Sequence, residues 1–128
     1  MNEVELIDNV CSFTNAISNL GALWVEMEVD TISPYSARIV ANTGLSLRPN
    51  MEIRFGRIFY ASLRMGWSCN MDFPICELLM GQEANELNAA HEVEMGFFWF
   101  RFIAEAAFHM PPFLLASDSF SWRRLDEL

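Results

Sequence analysis

The sequence predicts an α+β domain, an antiparallel sheet flanked by helices, and three observations carry that prediction. Leu6, Val10, Phe13, Ile17 and Leu20 recur at steps of four, three, four and three, which lines one face of a helix. Leu23, Val25, Met27 and Val29 then alternate with Trp24, Glu26, Glu28 and Asp30, the period of a half-buried strand. Further on, the stretch from Phe97 to Phe108 packs aromatic and apolar residues onto both parities of an extended chain. The expected order is helix, several strands, helix, strand or strands, helix, in a single domain spanning residues 1–128.

Each element has its local reasons. Glu3, Glu5 and Asp8 sit near the start of the first helix, where its dipole favours negative charge, and Gly21 is placed to end it. "TISPYS" supplies a turn, "YSARIVAN" resumes extended structure, and Pro49–Asn50 mark another turn. Met51, Ile53, Phe55, Phe59, Ala61, Leu63 and Met65 share parity, with Arg57 the exception. Gly56 beside Arg57 is read as a bulge or as a break between two strands. "SCNMDFP" interrupts the alternation. A second helix is expected over "PICELLMGQEANELNAAHE", with Asp72 as cap and Pro74 in its first turn. Phe97–Phe108 is best read as a strand, with a helix from about Phe102 to His109 as the rival because Ala104–Ala107 favours helix, which leaves Ala104–Phe108 open between the two. After "HMPPF", a short terminal helix is expected from Ser117 or Asp118.

Composition narrows the function classes. At 128 residues, 52% hydrophobic and 20% charged, the chain has the material for an ordinary core and is not a disordered tract. The charge of −9, with Arg as the only strong base, repels a phosphate backbone and anionic lipid, so neither nucleic acid nor membrane is an expected partner. No apolar run reaches spanning length; the best, Met95–Ala104, contains Arg101. Cys11, Cys69 and Cys76 form no CxxC pair and are expected as reduced thiols. With an acidic N-terminus unlike a signal peptide, that points to the cytoplasm.

No catalytic or cofactor pattern emerges. His91, Glu92 and Glu94 do not make HExxH, a Cys76–His91 pair requires a tertiary coincidence, and the glycines spell no phosphate-cradling loop. Neither a metal, nor a cofactor, nor an enzymatic activity is expected. Asn85 and Asn88, three apart, share one side of the second helix. They are read either as exposed polar residues or as structural amides bonding backbone where that helix gives way to a strand.

The segment "FPICELLMGQEANELNAAHEVEMGFFWFRF" resembles the second half of the YbjN-like family. There an extended segment leads into a helix with paired Leu and an Asn-x-x-Asn signature, followed by an aromatic strand. Phe73, Leu78, Leu79, Asn85, Asn88 and Phe98 match those positions, and "IRFGRIFYASL" matches the central strand. The resemblance implies a fold similar to the type III secretion chaperones and a bacterial protein that binds other proteins as a regulator or chaperone-like adaptor.

The expected function is therefore non-enzymatic protein–protein interaction through an exposed apolar face ringed by acids. Phe98, Phe100 and Phe102 are expected in the core. Phe97 and Trp99 are expected on the opposite face, with Arg101 marking solvent. Their cover is expected to be a second copy in a homodimer, another protein, or the C-terminal segment with Phe120 and Trp122. One rival is an acidic inhibitor or immunity-type protein against a basic partner. A second is an enzyme or small-molecule binder with a cavity between sheet and helices.

Overall fold

The computed structural model describes residues 1–44, 48–104 and 113–125. Helix α1 (Glu3–Ser18) is followed by strands β1 (Trp24–Ile32), β2 (Ala37–Asn42), β3 (Met51–Phe55), β4 (Ile58–Ser62), β5 (Gly66–Asn70) and β6 (Cys76–Leu79). Helix α2 (Gly81–His91) and strands β7 (Phe98–Phe102), β8 (Phe113–Ser117) and β9 (Phe120–Arg124) complete the described order. The class is α+β, but with two antiparallel sheets, ordered β5-β1-β2-β3-β9 and β4-β8-β7-β6.

The sheets face each other across a core rich in aromatic rings. Phe55 meets Phe100 and Phe102 at centroid distances of 5.1 and 5.9 Å, and Trp67 meets Phe113 at 5.3 Å, each pair spanning the two sheets. Helix α1 closes one side. Its buried stripe is Leu6, Val10, Phe13 and Ile17, and it contacts β9 and β6, a border strand of each sheet. The Asn2 side chain caps it by accepting from the Glu5 N–H, while the Asn2 amide donates back to the Glu5 carboxylate. Asn9 Nδ2 donates to the Phe120 carbonyl at 3.0 Å, tying the helix to β9.

A bent hairpin joins the sheets. β3 pairs with β9 as Phe55↔Phe120, and beyond the corner β4 pairs with β8 as Ile58↔Ser117. The chain crosses between sheets at Gly56–Arg57 and again at Asp118–Ser119, where the Asp118 carboxylate accepts from the Arg57 N–H at 3.0 Å. A Cβ on Gly56 would lie 2.3 Å from Asp118 Oδ1 and Ser119 Oγ, so a side chain here would have to push both of those side-chain ends aside. Of the two readings of Gly56, the break between strands is the one observed.

Three expected elements differ. Residues 76–79 are a strand, not helix, because Cys76 to Leu79 pair with Phe102 to Trp99 of β7. Asp72 and Phe73 instead form a turn on Asn70, and α2 begins at Gly81, whose φ of +66° lets the chain swing from strand into helix. "SCN" continues β5 as far as Asn70, paired with Trp24. The terminal helix is replaced by the corner and β9, since Phe120 and Trp122 take inward positions at period two. Beyond Ala104, the choice between strand and helix lies outside the described residues.

Candidate functional site

The aromatic block has two faces with separate duties. Phe100 and Phe102 are buried between the sheets, and Phe98 packs partly buried against the same core. On the outer face, Trp99 is only 1% exposed, which corrects its placement at an interface. The cover comes from the chain itself. Ala84 and Leu87 of α2, with Val93 and Tyr60, pack on Leu79, Trp99, Leu114 and Ala116. The Trp99 indole N–H donates to Asn88 Oδ1 at 2.8 Å, and the rings of Tyr60 and His91 stand 5.3 and 5.5 Å away.

Arg101, also outward, is held by Glu77 of β6 at 2.6 Å and by Glu83 of α2 at 2.6 Å, so it clamps the helix to the sheet. The Glu77 hydrogen bond raises the Arg101 pKa, keeping it firmly cationic. Asn88 also accepts backbone N–H bonds from Glu92 and Val93 through its carbonyl, ending the helix. Asn85 is exposed.

Phe97 is half-buried beside Phe59 at 5.3 Å, under the Arg57 guanidinium at 5.5 Å. Phe120 is a core residue at 0% exposure, stacked on Phe100 at 5.6 Å. Trp122, partly buried, meets Phe13 at 6.0 Å. These five residues therefore do not converge on one surface. The signal that would have placed Trp99 is the set Ala84, Leu87, Asn88 and His91, at helical spacing but half polar.

Among the described residues, neither helix covers the outside of the five-stranded sheet. α2 packs on the other sheet, and α1 contacts only β9 and β6 appreciably. Along β1 this face presents Trp24, 48% exposed, then the exposed Glu26, Glu28 and Asp30. Across β2, β3 and β9 it presents Arg38, Arg54 and Arg123 around Glu52, a carboxylate at 1% exposure. Glu52 Oε2 accepts from Arg38 Nε at 2.5 Å, and Oε1 accepts from the Nε atoms of both Arg54 and Arg123. Burial pushes the Glu52 carboxyl pKa up, but the hydrogen bonds from Arg38, Arg54 and Arg123 outweigh burial and hold it below the usual range. The missing signal was the strand register: it sets Arg38 opposite Arg54, Val40 opposite Glu52 and Glu52 opposite Arg123 on one face of three adjacent strands.

Two clefts lie elsewhere among the described residues. One, of about 710 Å³, lies between α1 and β6 and is lined by Ile7, Cys11, Leu78, Met80 and Arg101 among others. Another, of about 610 Å³, lies along β1 and β5 beside Trp67. Among the described residues no group of three or more His, Cys, Asp and Glu side chains could hold a metal ion. No described helix is long and apolar enough to cross a membrane. Neither a family model, nor a curated protein, nor a solved structure matches the chain.

Proposed function

We propose that this chain is a non-enzymatic protein-binding module that docks a basic partner on the outer face of its five-stranded sheet. The observation that carries the reading is the line of Trp24, Glu26, Glu28 and Asp30 on a face that neither described helix covers. An accessible indole supplies the kind of anchor that dominates interface energetics, and the adjoining carboxylates steer and select a cationic surface. Extension to a bacterial regulator or chaperone-like adaptor rests on the YbjN-like resemblance alone, whose paired Leu78 and Leu79 fall in β6 here rather than in a helix.

Affinity capture at physiological salt, analysed by mass spectrometry and repeated with Trp24→Ala and with Glu26→Arg/Glu28→Arg, tests it. Proteins retained by the wild type and lost from both variants support the docking face; an unchanged profile overturns it. A second reading, self-association, is favoured by the layout of the same face. A twofold packing would set the acids of β1 in one copy against the arginines of β2, β3 and β9 in the other. Ultracentrifugation would then show a dimer that dissociates as salt rises and fails to form in Glu26→Arg/Glu28→Arg.

A further inference from the structure

We propose that Arg54 and Arg123 form a binding site for a doubly charged oxyanion of the phosphate type, with Glu52 as the residue that positions them. The site does not rest on a basic partner docking at Trp24, whereas a twofold packing of two copies would compete for the same arginines. Both guanidiniums dock on one atom, Glu52 Oε1, and both do so through Nε. Among the described residues their Nη atoms have no partner, whereas Arg38 spends Nη1 on Asp30 at 3.1 Å. Two cations thus share one carboxylate oxygen while their side chains stay largely exposed, Arg54 at 58% and Arg123 at 64%.

The local charge favours an anion even though the chain as a whole is acidic. Three guanidiniums face the two carboxylates Glu52 and Asp30, leaving a positive excess that is concentrated at β3 and β9. A cleft of about 270 Å³ lies there, lined by Glu52, Arg54, Ser121, Trp122 and Arg123. Ser121 stands opposite Arg54 in the β3–β9 register and next to Arg123, so its exposed hydroxyl adds a neutral donor between the two cations. Forked guanidiniums match the oxygen edges of a phosphate, and an anion shared by both relieves the repulsion between them. The rigid sheet and the buried carboxylate fix the donors beforehand, as an outer partner does for a ligating group.

The test is a titration with inorganic phosphate at constant ionic strength, followed by NMR of the Arg side-chain Nε–H signals and the backbone amides of β3 and β9. Wild type should show saturable shifts confined to Arg54, Arg123 and Ser121. Arg123→Ala, at an exposed position, should weaken the fitted affinity roughly tenfold or more, and Arg48→Ala should leave it unchanged. Acetate, singly charged, should bind more weakly than phosphate. Glu52→Gln separates positioning from bulk charge. Removing a negative group would tighten a purely electrostatic site, whereas loss of the anchor should loosen this one. Unsaturable shifts in the wild type, equal affinity in Arg123→Ala, an equal response to acetate, or tighter binding in a folded Glu52→Gln would each overturn the assignment.

Discussion

Glu52 shows how a single side chain organises a surface. Its carboxylate is buried yet satisfied on both oxygens, so Glu52→Gln loses charge-assisted bonds while keeping shape. The exposed arginines regain water, which limits the loss to roughly 1–2 kcal/mol in urea unfolding. The pH dependence follows from the lowered pKa. A carboxyl depressed in the folded state adds stability above its unfolded value, about 4.3, and forfeits it as pH falls through the folded one. Wild type should therefore lose more stability than Glu52→Gln between about pH 5 and pH 3, as read by denaturation midpoints at each pH. Asn88→Ala strands the indole N–H of the buried Trp99 and should cost roughly 1–3 kcal/mol by the same measurement. The thiols divide in the same physical way. Burial pushes Cys69 up to about 12 and raises Cys76 further, while Cys11 is exposed. A thiol-reactive dye should thus label Cys11 in the native protein and the other two only on unfolding.

At the scale of elements, α1 and the corner carry the stability. Phe13 is fully buried against Phe120 and Trp122, so Phe13→Ala should destabilise by roughly 3–5 kcal/mol in chemical denaturation. Gly81→Ala places a side chain at φ +66° and should cost about 1 kcal/mol, read the same way, although open space surrounds the site. Which elements the sequence revealed follows from how they bury their surfaces. α1 and β1 each bury one face, so their stripes are regular: Leu6 to Ile17 at helical steps, Val25 to Val29 at steps of two. β6 and β8 are covered on both sides, and two-sided burial erases the period that separates strand from helix. Cys76 to Leu79 accordingly read as helix. The end of the chain misled for another reason. Ser117, Asp118 and Ser119 suit a helix cap, yet here Ser117 Oγ and the Asp118 carboxylate hold a crossing between sheets. The Glu52 cluster was invisible because only Arg54, two residues along the same strand, is near in sequence; Arg38 and Arg123, 14 and 71 residues away, reach the glutamate through strand pairing.

For the whole molecule, the bent hairpin makes two sheets into one mechanical body, since β3 and β4 are continuous with each other and pair with β9 and β8. Trp67 reports on the five-stranded sheet and Trp99 on the four-stranded one. Single-tryptophan variants retaining either should unfold in urea with coincident midpoints; midpoints that separate would show the sheets melting independently. The same hairpin bears on events at the ribosome. β3 is made roughly 65 residues before its partner β9, an interval of roughly 3–13 seconds at ordinary elongation rates. Throughout that interval the β9-facing edge of β3 waits with open hydrogen-bonding groups, and Phe55 waits for the Phe120 ring that meets it at 5.5 Å. Completion of the nascent sheet is thus deferred to the last described strand, and a ribosome stalled before Phe120 would present a sticky, half-built sheet to the quality-control machinery rather than a folded intermediate.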